Sequence, residues 1–337
     1  MIGFCLLGAG RIGAIHAANI ASRPDARLLR VVDVNAAAAA ALAERYGAQI
    51  SSVEAALDDP DVHAVIVASA TATHVDLTIA AARAGKAVFC EKPLDLDSRR
   101  AEQCLKVVGE TGTTLAVGFN RRFDPDFQAL YQRLFDNEIG RLELLSITSR
   151  DPEPPPIEYI RSSGGMFRDM LIHDFDMARW LLGEEPCEVY ATASCLVDQD
   201  IAGAGDVDTA AVILRTLSGR LCQINASRRA SYGYDQRIEA FGSKGMLRAE
   251  NTTPTAVRSF TEVGESLDKP HYFFLDRYAA AYRAELDDFL EALQAGRAPR
   301  VVGEDGRRAL LLADAAAESH RLGIPVKLSH DGNLIRS

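Results

Sequence analysis

Long apolar runs are missing from the sequence: no uncharged stretch in its 337 residues approaches the roughly 20 apolar residues that a membrane span requires. A helical membrane protein is thereby excluded. Residues 1–10 are apolar but have no basic region before the run and no cleavage site after it, and they lead straight into a glycine motif, so they do not read as a signal peptide. Paired cysteines are missing too. The six cysteines, Cys5, Cys90, Cys104, Cys187, Cys195 and Cys222, are scattered without a Cys-x-x-Cys pair, and several fall in apolar strand-like runs. They read as free core thiols of a protein in a reducing cytoplasm. Cations are also scarce: 37 Lys and Arg stand against 47 Asp and Glu, a net charge of −10. Binding by phosphate neutralisation needs clustered cations, so nucleic acid is not an expected partner. No internal repeat is present.

What remains is an ordinary globular composition, 47% hydrophobic and 25% charged. The length exceeds what one core usually covers and implies two domains. Residues 1–119 alternate between strand and helix patterns: strands at 2–7, 28–34, 62–70, 87–90 and 114–118, helices at 12–22, 36–46, 74–84 and 98–111. Such alternation predicts an α/β domain built on a doubly wound, mostly parallel sheet, whose ligands bind at the carboxyl ends of the strands. From about residue 120 the pattern changes. A helix at 124–137 and a strand at 142–149 precede a proline-rich loop at 152–156 and a strong helix at 166–182 that Gly183 is placed to end. Strands at 188–197, 209–216, 220–227, 236–241 and 246–249 follow, joined by turns such as Leu217-Ser218-Gly219. They predict an α+β domain over 120–337 with a large, mainly antiparallel sheet. Two amphipathic helices, 276–295 and 304–322, come last and are free to pack back on the first domain.

Gly8-Ala9-Gly10-Arg11-Ile12-Gly13 matches Gly-x-Gly-x-x-Gly between a strand and a helix, and Asp33 ends the next strand. Gly8 would allow the tight turn, Gly10 the approach of a pyrophosphate, and Gly13 the close packing of helix on strand. The helix start would offer its N–H groups to the phosphates, and Asp33 would accept from the adenosine ribose hydroxyls. Neither Val34 nor Asn35 supplies a cation for a 2′-phosphate, which favours NAD over NADP. These features make the first domain a candidate Rossmann dinucleotide-binding domain.

Three further groups are ambiguous by themselves. Lys92, in Glu91-Lys92-Pro93, follows a strand at the ligand-binding edge, where lysine is as readily a solvated surface residue. Thr71 or Thr73 could simply cap the helix beginning at His74, or line the nicotinamide side of a dinucleotide. Asp169, His173 and Asp176 recur at i, i+4 and i+7 on a helix that is apolar on its other sides. Their stripe is either a satisfied core network or a site wall in which a carboxylate orients a histidine base. No second histidine and carboxylate cluster completes a metal site in the sequence, and none is expected.

Together these strings, with Gly118-Phe119-Asn120-Arg121-Arg122-Phe123-Asp124 and above all Ser163-Gly164-Gly165-Met166-Phe167-Arg168-Asp169-Met170-Leu171-Ile172-His173-Asp174-Phe175-Asp176, resemble the glucose-fructose oxidoreductase and inositol dehydrogenase family. The likeness spans nearly the whole chain. Within the family it is most similar to myo-inositol 2-dehydrogenases, through Thr148-Ser149-Arg150-Asp151-Pro152 and Tyr232-Gly233-Tyr234-Asp235-Gln236-Arg237. The resemblance implies an NAD-dependent enzyme that oxidises myo-inositol to 2-keto-myo-inositol (scyllo-inosose), with Lys92, Asp169 and His173 as catalytic triad. Arg121 and Tyr234 join them as substrate contacts. Gly8, Gly10, Arg11, Ile12, Gly13, Asp33, Thr71, His74, Glu91 and Lys92 are implied for the cofactor. It also implies a cytoplasmic homo-oligomer, dimer or tetramer. Open alternatives are scyllo-inositol, another epimer or a pyranose as substrate, and a dinucleotide-sensing regulator without catalysis, against which the presence of all three triad residues argues.

Overall fold

A computed structural model describes residues 1–329 and 331–335. The chain divides into two compact units, and each contains segments distant in sequence.

The first unit takes in Met1–Phe123 and Ala281–Arg308. Its elements run β1 (Ile2–Leu7), α1 (Arg11–Ala21), β2 (Ala26–Val32), α2 (Ala36–Tyr46), β3 (Gln49–Ile50), α3 (Val53–Asp58), β4 (Ala64–Val67), α4 (His74–Arg83), β5 (Ala87–Cys90), α5 (Ser98–Thr111) and β6 (Leu115–Val117). The six strands are all parallel, in the order β3-β2-β1-β4-β5-β6. β1 and β4 are almost wholly buried, and their uninterrupted apolar runs are what strands covered on both faces require. Local signals start and stop the helices. Asn35 caps α2 by accepting from the Ala37 and Ala38 N–H groups, Ser52 caps α3, and Asp97 caps α5. The alanine run of α2 turns Ala39 and Ala43, with Leu42, into the core. From the far end of the sequence the helix Ala279–Ala295 adds Leu286, Phe289 and Leu290 to the same core. The Phe289 ring lies 6.4 Å from Phe4 and 5.8 Å from Phe89, centroid to centroid. β1 leads to β2 and β3 on one side and β4 opens the other, so the order reverses between β1 and β4, where ligands of such sheets bind.

The second unit takes in Asp124–Ala280 and the chain from Ala309 on. It comprises α6 (Pro125–Phe135), β7 (Leu142–Arg150), α7 (Ile157–Ser163), α8 (Ile172–Leu182), β8 (Pro186–Ser194), α9 (Gln199–Gly203), β9 (Thr209–Thr216), β10 (Leu221–Ser227), β11 (Asp235–Gly242), β12 (Gly245–Ala249), β13 (Arg258–Thr261), β14 (Gly264–Leu267), α10 (Phe274–Arg277), β15 (Val326–Leu328) and β16 (Leu334–Ile335). Eight strands form one sheet in the order β12-β11-β7-β10-β9-β8-β15-β16. The sheet is antiparallel apart from the parallel pair β7 and β10. β9 alternates buried and exposed residues along its length, the pattern of a sheet covered on one face. α8, buried on nearly all sides, packs against β7 and β10.

Two helices differ from the sequence expectation. The stretch 276–295 is broken at Tyr278 into α10 and the helix Ala279–Ala295, and Arg277 and Tyr278 are both buried at the break. The stretch 166–182 opens with a wide turn rather than a regular helix. Short elements such as α7, α9 and the exposed β13–β14 hairpin carry too little periodicity to be read in advance.

Arg277 has a structural task that explains the break. Its guanidinium grips the carboxylate of Asp124, with a 3.1 Å bond from Nη2 to Oδ1, and Oδ1 also caps α6 through the Asp126 and Phe127 N–H groups. The two residues are only 7% and 1% exposed. Removing one partner of a buried pair strands the other charge. Arg277→Ala should therefore destabilise the protein by about 3–5 kcal/mol, read as a large drop in denaturation midpoint; a midpoint unchanged from wild type would contradict this account.

Candidate active site

The glycine turn after β1 is shaped by close backbone approach. Gly8 has φ +110°, and a Cβ there would run into the Ala68 carbonyl beyond β4; a Cβ on Gly13 would run into the Gly8 carbonyl. Gly10 differs, since a Cβ there would meet nothing within 4 Å. The space over it is open, and no side chain caps the start of α1 at Gly10, so the helix start faces that space. Asp33, just past β2, is held by the Ala9 N–H at 2.5 Å and the Asn35 N–H at 2.7 Å. Val34 is fully exposed. A pyrophosphate over Gly10 and a ribose diol at Asp33 fit this arrangement.

The next two turns are tied together by His74. One ring nitrogen lies 2.8 Å from the Pro93 carbonyl and the other 3.0 Å from the Ser69 carbonyl, so this buried ring sits between two backbone oxygens and donates to one of them in each neutral tautomer. Neither Thr71 nor Thr73 caps α4; a short 3₁₀ turn over Thr71–Thr73 precedes it, and the Thr73 hydroxyl bonds the Ala70 carbonyl at 2.7 Å. Lys92 and its cis peptide to Pro93 follow β5 directly, with Lys92 partly exposed. Arg121, buried, lies in the short turn Asn120–Phe123 after β6, beside Arg122, which pairs with Asp305 at 2.9 Å. The residues named for the cofactor thus sit at the carboxyl ends of β1, β2, β4 and β5, together with Lys92.

In the second unit, Asp169 and His173 do not share one regular helical stripe. The Leu171 N–H reaches the Met166 carbonyl, five residues back, at 2.9 Å, making Met166–Met170 a π-type turn, and α8 starts only at Ile172. Such turns redirect side chains and recur at functional sites. Asp176, the third member of the expected stripe, is instead buried, 3.7 Å from Arg179. The glycines before the turn make it possible. Gly164 and Gly165 have φ of +90° and +77°, and a Cβ on Gly165 would stand 2.6 Å from the Asp206 carboxylate. That carboxylate accepts from the Met166 N–H at 2.9 Å and pairs with buried Arg228 at 3.2 Å. Tyr234, also buried, stands just before β11 with its ring edge-on to Tyr278. Asp206, Arg228 and Tyr159, whose hydroxyl bonds Asp169, escaped sequence reasoning because no local motif surrounds them.

Residues 2–119 match the model of the oxidoreductase family with an NAD-binding Rossmann fold, and residues 127–248 match the GFO/IDH/MocA C-terminal domain. The chain belongs to the GFO/IDH/MocA oxidoreductase family. Among its relatives, an inositol 2-dehydrogenase of Rhizobium meliloti (strain 1021) is 52% identical over 94% of this chain and 96% of its own length. A myo-inositol 2-dehydrogenase of Thermotoga maritima is 47% identical over 96% and 97%. In structure, the chain superposes on a myo-inositol dehydrogenase from Corynebacterium glutamicum with a TM-score of 0.94 at 45% identity, covering 98% of this chain and 99% of that one. A scyllo-inositol dehydrogenase from Lactobacillus casei, solved with NAD(H) and scyllo-inositol, superposes with a TM-score of 0.89 at 28% identity over 97% and 99%. The family assignment makes the protein a dehydrogenase and its first unit an NAD-binding domain. No helix among the described residues is long and apolar enough to cross a membrane.

Beneath this family's NAD-binding loop lies a group that no sequence spacing revealed. His16 of α1, Glu91 and Glu285 present ligand atoms within 4.8 Å of one another, all three buried. His16 Nε2 bonds Glu91 Oε1 directly at 2.7 Å. The Glu91 carboxylate also packs on Gly118, where a Cβ would stand 2.9 Å from Oε2. Neither oxygen of Glu285 has a hydrogen-bond partner, and burial, reinforced by the charge of Glu91, raises its pKa well above the ordinary carboxylate value. A raised carboxyl stabilises the fold fully below the unfolded-state pKa, and that contribution is lost as pH climbs through the folded-state value. Glu285→Gln removes the titration. Its stability should vary less between pH 5 and pH 8 than that of wild type, by up to about 1.4 kcal/mol for each pH unit spanned. Parallel melting curves for the two proteins across that range would refute a buried, proton-bearing Glu285.

Proposed function

We propose that this enzyme oxidises myo-inositol to 2-keto-myo-inositol (scyllo-inosose) with NAD. The carrying observation is the near full-length identity, 52% and 47%, to two inositol 2-dehydrogenases. The open space at Gly10 and the amide-held Asp33 carboxylate support NAD as the partner in that reaction.

The reaction removes a hydride from the carbinol carbon and a proton from its oxygen. NAD, when bound, supplies the hydride acceptor. His173 takes the hydroxyl proton, as a base suited to neutral pH. Asp169 orients and polarises that hydroxyl, and Lys92 holds the substrate oxygen and assists the proton relay. Arg121 and Tyr234 contact the ring hydroxyls. Gly8, Gly10, Arg11, Ile12, Gly13 and Asp33 hold the dinucleotide, with Thr71, His74 and Glu91 at its nicotinamide end. On the open face of the large sheet Tyr190 pairs with Ile213, and Leu221 and Phe241 flank Leu144 from either side. The exposed apolar side chains among them support a homo-oligomer, dimer or tetramer, and the unpaired cysteines support a cytoplasmic location.

A second substrate, scyllo-inositol, is favoured by a relative 37% identical over 96% of this chain, the scyllo-inositol 2-dehydrogenase (NAD(+)) of Bacillus subtilis. The two epimers differ in one hydroxyl's direction, which only hydrogen-bond geometry distinguishes.

Formation of NADH with myo-inositol, scyllo-inositol, D-chiro-inositol, glucose and galactose tests the reading. Turnover of myo-inositol is expected to lead the panel, and absence of turnover with every member, despite NAD binding, would overturn it in favour of a regulator. His173→Ala should lower kcat by about a hundredfold or more while NAD affinity stays near wild type; retained turnover would remove His173 from the base role. NAD should exceed NADP in kcat/KM by at least about tenfold, since the Asp33 carboxylate repels a 2′-phosphate. Equal efficiencies would contradict that role for Asp33.

A further inference from the structure

We propose that Tyr159 is a positioning residue for this reaction, acting through Asp169; the proposal rests on the role given to Asp169 above. Tyr159 lies on α7, ten residues before Asp169, and the left-handed pair Gly164–Gly165 reverses the chain between them. The reversal brings the phenol back onto the turn: Tyr159 Oη donates to Asp169 Oδ1 at 2.9 Å.

That bond fixes the rotation of the carboxylate on the turn that carries it. The phenol is suited to the task. The residue is 47% exposed, yet partial burial and the Asp169 charge push its pKa well above the ordinary phenol value, with Asp151 acting in the same sense and Arg228 against it. Tyr159 therefore keeps its proton, and remains a donor, through the whole working range. Asp169, Asp151 and Arg228 are the charged groups that face it.

An exposed ring contributes little packing, and phenylalanine would preserve what it contributes. Loss of the hydroxyl alone separates positioning from support of the fold. In the full-length protein with NAD and myo-inositol, Tyr159→Phe is expected to lower kcat about tenfold with the KM for NAD unchanged. A kcat equal to that of wild type, or a fall in kcat matched by a rise in the KM for NAD, overturns the proposal. A second readout does not depend on turnover. With tyrosines labelled at the ring carbon bearing oxygen, NMR titration follows Tyr159, identified as the resonance missing from Tyr159→Phe. Asp169→Asn should lower its titration midpoint, and a midpoint unmoved by that change overturns the pairing. If wild type turns over no polyol, the reading of function fails by itself, and the labelled titration still decides whether Tyr159 and Asp169 are coupled.

Discussion

Backbone meeting backbone at the end of β1 is the constraint on which the cofactor site depends. Gly8 lies against the Ala68 carbonyl and Gly13 against the Gly8 carbonyl, and any side chain at either position would force strand and helix apart. That closeness aims the start of α1 at the open space above Gly10 and places the Ala9 N–H on the Asp33 carboxylate. The turn therefore orders two ends of the proposed dinucleotide site at once, beside the crevice where the strand order reverses.

Around this constraint the protein spends buried polar groups as pins. His74 ties the turn after β4 to the turn after β5 through two carbonyls, and the His16–Glu91 bond anchors the residue that precedes Lys92. Asp206 does the same for the second unit, joining the Met166 N–H to Arg228 beneath the turn that carries Asp169. A buried polar group costs least when it is fully bonded. Each of these pins spends its bonds on backbone or on a partner far away in the chain, so each also sets the position of a loop. The loops bearing candidate site residues are held by such pins.

The sequence by itself determined the parallel sheet, the glycine turn and the large second sheet, because these rest on local periodicity and on short spacings: apolar runs bounded by turns, three glycines and an aspartate at the next strand end, alternation along β9. The string from Ser163 to Asp176 was legible only through its resemblance to the family. Other features were decided only by tertiary structure. The first turn of the helix expected over 166–182 is π-type instead, and Asp206, forty residues downstream of Met166, binds the Met166 N–H and leaves room only for glycine at 165. The break at Tyr278 follows from Arg277 reaching Asp124, 153 residues away. The buried His16, Glu91 and Glu285 group, and the bond from Tyr159 to Asp169, likewise join residues that no spacing relates. Local rules set elements because their energies are local; contacts between distant residues depend on how those elements pack, and only the folded chain brings them within hydrogen-bonding distance.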